Sequence, residues 1–192
     1  LEWFKNELMS QTDYADINQN CSIKKRPGSI VFLPYLTGIN APDFNKDASG
    51  VFFGLNVNHN QYDLALAVME GVAHMLRSNI DSIEQAGIKA TGIISTGGGA
   101  RSDLWCQIKA DITNYPIMVP ENEEASCLGC AIIGAVAEGI YHDYKSAVDD
   151  LISIRKNFNP QLSSDYAQQH NLYNKLYFSL ADTFRYHSMI SV

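Results

Sequence analysis

The chain has 192 residues, of which 46% are hydrophobic and 18% are charged, and its formal net charge is −7. This length supports one well-buried core and is short for two. The negative charge argues against nucleic-acid binding, because sequence-independent neutralisation of phosphates requires Lys and Arg. It leaves small anions open as ligands, since backbone N–H groups and helix N-termini bind phosphate without net positive charge.

The sequence contains no apolar run long enough for a membrane span and no basic leader followed by an apolar stretch. The four cysteines, Cys21, Cys106, Cys127 and Cys130, are too few and too unevenly spread for a disulfide scaffold. We therefore expect a cytoplasmic protein with no membrane partner. Because the chain starts at Leu1, already within amphipathic sequence, we interpret it as a fragment of a longer protein.

The first fifty residues predict a helix, a turn, a strand and a loop. Residues 1–19 are predicted to form a short helix followed by a polar stretch, Ser10–Asp13, that suits a cap and turn. Pro27-Gly28 marks a turn before an apolar strand at Ser29–Leu33. Residues 34–50 are rich in Asn, Pro, Gly and Asp, which predicts a long loop, and such loops in compact domains are often functional.

A second strand, Val51–Phe53, is followed by a long amphipathic helix. Apolar residues recur at helical spacing from about Gln61 to Ala86. Asn60 is a suitable N-cap, and Gly87 stands where a glycine just past the helix end is expected.

The rest of the chain alternates strands and helices. A buried strand is predicted at 90–95, and the glycine turn Gly97–Gly99 follows it. After the turn we predict, in order, a helix at about 101–113, a strand at 117–119, a small-residue helix at about 123–138, a helix at about 145–156 and a long helix at about 163–187. The pattern indicates an α/β layer fold with one mixed sheet flanked by helices.

The glycine turn is the sharpest local signal for a ligand site. It follows the carboxyl end of a strand, where ligands of α/β sheets bind. Because the glycines have no Cβ atoms, a base or a phosphate can approach their backbone closely, and the next helix offers unpaired N–H groups. A tight turn that serves packing alone explains Gly97–Gly99 equally well. The turn is neither a Walker loop nor a Rossmann fingerprint.

Four segments together resemble the FGGY family of carbohydrate kinases, particularly its xylulokinase branch. Gly97–Asp111 is similar to the family's adenosine motif, and Gly50–Glu70 follows its C-terminal signature. Phe32–Gly38 looks like the strand and loop that begin its C-terminal domain, and Pro120–Ala131 resembles its small-residue helix. The resemblance covers about residues 30–178.

The resemblance implies a domain of the actin-like ATPase (ribonuclease H-like) fold, one of two that enclose an active-site cleft. Family members transfer the γ-phosphoryl group of ATP to a sugar or polyol hydroxyl with Mg²⁺. Residues 1–192 would then be the C-terminal nucleotide-binding domain, with 1–29 as a junction segment and 30–187 as its core. Its partners would be ATP or ADP, a sugar or polyol, and an N-terminal sugar-binding domain that this chain lacks.

The resemblance also implies the residues that contact the nucleotide: Gly97, Gly98, Gly99, Ala100, Asp103 and Gln107. The glycines and Ala100 would lie against adenine and ribose, and Asp103 would face the base. For Gln107 and for Asp111, which also matches the motif, a structural role within the helix is an equal alternative. No catalytic residue is expected in this chain, because the family's catalytic aspartate lies in the N-terminal half, so we expect the fragment alone to be inactive.

Some residues depart from the family pattern. Many xylulokinase-like members have Gly-Glu-Arg-x-Pro where this chain has Gly38–Pro42, and the absence of these two charges in a loop near the cleft puts the identity of the sugar in doubt. The overall resemblance implies xylulose, while gluconate, ribulose, fuculose, rhamnulose and glycerol stay open. Cys127 and Cys130 resemble half a zinc site but are better explained by packing of a small-residue helix against the sheet, with a redox role as a remote second. His74 is expected to be a packed polar residue.

Two alternatives of other classes are an actin-like ATP-binding regulatory module and an inactive homologue with a purely structural glycine turn. The oligomeric state is open, and a homodimer is one of the assemblies that the sequence allows.

Overall fold

A computed structural model describes residues 1–40, 43–122 and 124–190. In chain order, these residues form α1 (Glu2–Leu8), α2 (Tyr14–Ser22), β1 (Val31–Leu33), β2 (Val51–Phe53), α3 (Gln61–Gln85), β3 (Ile93–Ile94), a 3₁₀ turn (Gly98–Ala100), α4 (Asp103–Thr113), β4 (Ile117–Pro120), α5 (Ala125–Ala137), α6 (Tyr144–Leu151), β5 (Ile154–Phe158), α7 (Ser163–Ser179) and α8 (Ala181–Ile190). In this part of the chain, no helix is both long enough and apolar enough to cross a bilayer.

The central helix α3 is confirmed with both predicted ends. Asn60 accepts a hydrogen bond from the Tyr62 N–H, and Asp63 accepts one from the Asn60 N–H, which forms a capping box. Helix α3 packs against α1, α2, α4, α7 and β1. Its contact with β1 requires Gly71, because a Cβ there would overlap the Phe32 carbonyl oxygen.

The strands form two sheets in the described residues, where one was predicted. β1 and β2 pair antiparallel, with Val31 opposite Phe53. A separate three-stranded sheet has the order β3-β4-β5, in which β3 and β4 are parallel and β4 and β5 antiparallel. The predicted mixed sheet flanked by helices is therefore confirmed, and its extension to β1 and β2 is wrong.

The predicted helix at 145–156 is wrong in its second half. The helix begins with a capping box between Asp143 and Ser146 but ends at Leu151. Residues Ile154–Phe158 instead pair with β4, where Phe158 lies opposite Ile117. Backbone hydrogen bonding to a neighbouring strand has overridden the local helical pattern.

The predicted long helix at 163–187 is divided at Leu180 into α7 and α8. The Leu180 N–H donates to the carbonyl oxygens of Leu176 and Tyr177, which closes α7. Because of this break, the ring of Phe184 on α8 lies near that of Tyr177 on α7, with centroids 6.5 Å apart. Both rings belong to one buried cluster with Tyr35. Packing of these rings explains the division.

The three-stranded sheet is covered on one face by α4. Cys106 and Ala110 of α4 pack with the buried Ile117 and Val119 of β4. The strand predicted at 90–95 is shorter than expected and only partly buried, since Ile94 is 58% exposed. The described residues therefore leave part of this sheet uncovered.

The small-residue helix α5 also differs from the prediction. It packs mainly on α6 rather than on the sheet, and Ile132 is its only buried residue. Cys127 and Cys130 are exposed and free. The prediction of sheet packing for these two cysteines is wrong in this chain. The start predicted for this helix, Glu123, lies outside the described residues.

Candidate functional site

The glycine turn joins the end of β3 to the start of α4. Gly97 has a φ of +73°, a conformation that residues with a Cβ rarely adopt. The next residues form a 3₁₀ turn in which the Ala100 N–H donates to the Gly97 carbonyl at 3.0 Å and the Arg101 N–H donates to the Gly98 carbonyl at 3.3 Å. A Cβ built on Gly97 or Gly98 would meet no atom within 4 Å. The turn therefore presents bare backbone to open space.

That open space is a cleft of about 550 Å³. The first wall is the turn and the start of α4, through Gly98, Gly99, Arg101, Ser102 and Trp105. The second wall comes from α1 and α2, through Leu1, Glu2, Tyr14, Ala15 and Asn18. The volume lies within the range of small-molecule sites, and the mix of bare backbone, aromatic rings and a few polar groups is typical of them.

Hydrogen bonds hold the two walls together. Ser102 is the N-cap of α4, and its hydroxyl accepts from the Trp105 N–H at 3.1 Å. The same hydroxyl donates to Oδ1 of Asn18 at 2.6 Å, which ties α2 to the start of α4. The Trp105 ring N–H donates to the Met69 carbonyl of α3 at 3.0 Å. The cleft is therefore anchored to the central helix.

Sequence reasoning missed the second wall, because residues 1–29 were treated as a junction. Phe4 and Ile17 instead belong to the main core cluster together with Leu66 of α3. Asn18 lies 84 positions before Ser102. A tyrosine and an asparagine on short helices carry no local signal for a ligand site, so only the tertiary structure could have identified them.

The six residues predicted to contact nucleotide do not all face the cleft. Gly98 and Gly99 line it, Gly97 enters the turn, and Ala100 is buried beneath the turn. Both carboxylate oxygens of Asp103 accept from Lys156 Nζ on β5, at 2.7 Å. The Gln107 amide donates to Asp111 and to the Asn159 carbonyl, each at 2.8 Å. Nucleotide contact by these six residues stays a prediction.

Asp111 acts as a buried structural hub, in line with the structural alternative for this motif position. Its carboxylate accepts from Gln107 and from the Gln161 N–H at 2.8 Å each. It also lies 3.3 Å from Nη1 of Arg26, and its side chain is fully buried. A buried charge with these partners links α4 to the chain on both sides of it.

Glu70 is a second buried carboxylate, on α3. It accepts from the Gly28 N–H at 3.1 Å, from the Tyr166 hydroxyl at 2.7 Å and from the Gln169 amide at 3.4 Å. Burial raises the pKa of Glu70 to about 7, although these donors favour the ionised form. Glu70 therefore fixes the turn at Gly28, next to the first residues of the core.

His74 lies one turn after Glu70 and is packed in the interior, as predicted. Its Nε2 is 2.9 Å from Oε1 of Gln169, and its Nδ1 is 3.2 Å from Nδ1 of His170. Burial lowers the pKa of His74 to about 4, so the ring is neutral at pH 7.

A serine–histidine contact near β1 does not have the arrangement of an activated nucleophile. Nε2 of His59 is 2.8 Å from the Ser29 hydroxyl. Nδ1 of His59 accepts from the Asn56 N–H at 3.0 Å, which places the ring proton on Nε2. The histidine therefore donates to Ser29 and cannot take its proton as a base.

Within the described residues, no group of three or more His, Cys, Asp or Glu side chains could hold a metal ion. Such a group is the ligand set of a metal site built from side chains alone, whereas Mg²⁺ in phosphoryl-transfer sites is held by one or two carboxylates together with substrate phosphates.

Comparison with known proteins identifies the class of this domain. The model of the FGGY family of carbohydrate kinases, C-terminal domain, matches residues 2–138. The chain therefore belongs to the FGGY family, and the resemblance found in its motifs is confirmed.

Individual relatives agree with this assignment. The xylulose kinase of Staphylococcus epidermidis is 32% identical over 180 residues, which cover 92% of this chain and 36% of that protein. The gluconokinase of Bacillus subtilis is 34% identical over 172 residues, covering 83% of this chain and 33% of that protein. The chain thus spans about a third of the length of these relatives.

Solved structures confirm the fold class. The xylulose kinase from Lactobacillus acidophilus matches with a TM-score of 0.87 at 26% identity, over 97% of this chain and 38% of that protein. The domain therefore has the actin-like ATPase, ribonuclease H-like fold that the sequence predicted.

Proposed function

We propose that this chain is the nucleotide-binding C-terminal part of an ATP-dependent carbohydrate kinase, which transfers the γ-phosphoryl group of ATP to a sugar hydroxyl. The observation that carries the proposal is the cleft of about 550 Å³ between the glycine turn and helices α1 and α2. Family membership supplies the reaction class.

The cleft suits the adenosine part of ATP. At Gly98 and Gly99 a flat base can lie against backbone, since no Cβ stands between them. Tyr14 and Trp105 add aromatic surface, and Asn18 and Glu2 add polar groups that can orient a base or a ribose. These groups can bind and position a nucleotide, and none of them is placed to transfer a phosphoryl group.

Phosphoryl transfer requires groups on both sides of the γ-phosphate. Because the chain spans about a third of its relatives, we infer that the general base and the sugar-binding residues lie in a separate N-terminal domain. Mg²⁺ would arrive with ATP as part of the substrate. The isolated chain would then bind nucleotide without catalysing transfer.

The exposed apolar surface of α5 and the sheet supports such an N-terminal partner. Helix α5 contains no charged residue, yet Ile133 on it is 57% exposed. Ile140 after the helix and Ile94 on β3 are also exposed. An apolar helix of this kind is normally covered. We propose that the N-terminal domain of the same kinase covers it.

Xylulose is the sugar that we propose first, because xylulose kinases of several organisms are similar to this chain in sequence, and one is similar in structure with a TM-score of 0.87. Gluconate is the second candidate, because the gluconokinase of Bacillus subtilis is 34% identical to this chain. A panel of both substrates, with the full-length kinase and ATP, separates them by kcat/KM.

The nucleotide proposal is tested by titrating this chain with ADP in a calorimeter. Gly98→Ala adds a methyl group in open space above the turn, so it should leave the fold unchanged while raising the Kd for ADP at least tenfold. Gly134→Ala is the matched control on α5, where an added Cβ also meets no atom and the Kd should not change.

Equal ADP affinity in the two variants would place the nucleotide elsewhere. Absence of ADP binding to the unmodified chain, together with absence of sugar phosphorylation by the full-length protein, would reject the kinase proposal and favour the inactive homologue.

A further inference from the structure

A lysine on α4 contacts the glycine turn and is not among the residues that line the cleft. Lys109 is on α4, one turn after Trp105. Its Nζ donates to the Ser95 hydroxyl at 2.7 Å and to the Gly99 carbonyl at 3.3 Å. It also lies 5.5 Å from the centroid of the Trp105 ring. One side chain thus contacts the end of the strand, the turn and the helix.

The surroundings of Lys109 are unusual for a charged group. The side chain is half-buried, and burial lowers the pKa of its amine. Among the described residues its partners are a hydroxyl, a carbonyl and an aromatic face, and none is a carboxylate. Holding a cation here costs free energy that an apolar side chain would not.

The turn itself needs external support. Glycines have more backbone freedom than any other residue and lose more entropy when they become ordered. In this turn, the Gly99 carbonyl points to the α4 side, where it accepts from Lys109 and lies 3.8 Å from Sγ of Cys106. Gly98 and Gly99 also line the cleft, so Lys109 holds the carbonyl of a residue that a ligand in the cleft would meet.

We propose that Lys109 is a positioning residue that fixes the glycine turn in its ligand-binding conformation. The proposal rests on the nucleotide function proposed above. Lys109 orders Gly97–Gly99 before the nucleotide arrives, so that binding does not incur the entropy cost of ordering three glycines. It acts through the turn and does not itself contact the reacting groups.

The first test does not involve nucleotide. Hydrogen exchange of the Ala100 and Arg101 amides, which close the 3₁₀ turn, is compared between the unmodified chain and Lys109→Met. We expect exchange in this segment to rise about tenfold, with no change in α3. Lys145→Met, at an exposed lysine on α6, is the matched control and should leave the turn unchanged.

Ser95→Ala removes one contact and keeps the lysine, so it should give a smaller rise in exchange. If Lys109→Met does not fold, Ser95→Ala alone tests whether Lys109 orders the turn. The proposal is overturned if the Ala100 and Arg101 amides exchange as slowly as in the unmodified chain in any of these variants that folds.

The second test uses nucleotide. In the full-length kinase, Lys109→Met should raise the KM for ATP about tenfold while kcat and the KM for the sugar stay within twofold, and Lys109→Arg should restore most of the affinity. A fall in kcat with unchanged KM for ATP would contradict a positioning role. If the unmodified protein does not bind ADP, the nucleotide proposal fails, whereas the exchange experiment still decides whether Lys109 orders the turn.

Discussion

The interior around α3 contains charged side chains, whereas the exposed surface around α5 is apolar. Helix α3 carries charged residues, yet it packs against four helices and a strand, and its buried Glu70 has hydrogen-bond donors from the turn at Gly28 and from α7. Helix α5 has no charged residue, yet only Ile132 on it is buried. The buried carboxylate of α3 has its hydrogen-bond donors, while apolar side chains on and near α5 remain exposed.

This difference separates an enclosed part of the domain from an exposed one. Around α3, the buried carboxylates Glu70 and Asp111 have their hydrogen-bond partners within the chain. Around α5, apolar side chains such as Ile133 and Ile140 are exposed in the isolated chain. In the isolated chain, we therefore expect substitutions around α3 to lower the free energy of unfolding strongly and substitutions on the exposed face of α5 to change it little.

The largest effect is expected at Asp111. Asp111→Ala leaves Arg26 and the N–H of Gln161 without their buried partner, which should lower the free energy of unfolding by about 4 kcal/mol. Asp149→Ala removes the acceptor of an exposed i,i+4 pair with Lys145 and should leave the free energy of unfolding almost unchanged. Urea denaturation measures both. Similar losses in the two variants would contradict the hub assignment.

The second largest loss in the free energy of unfolding is expected from substitution of Gly71. A methyl group at Gly71 overlaps the Phe32 carbonyl, so Gly71→Ala must push α3 and β1 apart, at a cost of about 3 kcal/mol. Gly134→Ala on α5 meets no atom and should stabilise the helix by about 0.5 kcal/mol. Thermal unfolding distinguishes them, and a neutral Gly71→Ala would show that the close contact is not required.

The buried pair Glu70 and His74 predicts opposite pH dependences. Folding raises the Glu70 pKa from 4.5 to about 7, so the folded state binds the extra proton and this group lowers stability as pH rises through that window. Folding lowers the His74 pKa from 6.5 to about 4, so this group lowers stability as pH falls from 6.5 to 4. The two contributions oppose each other between pH 4.5 and 6.5.

Removing either group should reveal the other. Stability of Glu70→Gln should rise from pH 4 to 6.5, and stability of His74→Gln should fall from pH 4.5 to 7, each by on the order of 2 kcal/mol. The unmodified chain should be flatter than both variants. Denaturation midpoints across this pH range measure the slopes, and slopes of the same sign in both variants would refute the assignment.

The smallest effect is expected on the exposed face of α5. Ile133→Ser should change the stability of this chain by less than about 0.5 kcal/mol, because Ile133 has few contacts to lose. Its neighbour Ile132 is buried, and Ile132→Ser should cost about 3 kcal/mol. In the full-length kinase, Ile133→Ser should instead be clearly destabilising. Neutrality there would argue against coverage of α5 by an N-terminal domain.

Much of the fold was predictable where its cause is local. The ends of α3 follow from Asn60, Asp63 and a helical apolar pattern that acts over a few residues. The glycine turn was predictable because the required positive φ at Gly97 favours one residue type. Family membership followed from four motifs in the correct order and is confirmed.

The site was predicted less completely, because its two walls are far apart in sequence. The turn wall was predicted at Gly98 and Gly99, whereas Tyr14 and Asn18 were not. Two predicted contact residues make hydrogen bonds within the chain. Asp103 accepts from Lys156, and Gln107 donates to Asp111 and to the Asn159 carbonyl. A motif specifies residue types, but which side of α4 meets the cleft depends on how α4 packs.

The sequence by itself determined the elements with local signals, the position of the glycine turn and the family. The tertiary structure decided that Ile154–Phe158 is a strand, that the last helix divides at Leu180, that α1 and α2 complete the cleft and that α5 is left uncovered. The physical reason is the range of the interactions. Caps and turns act over a few residues, whereas strand pairing, ring packing and burial depend on partners distant in the chain.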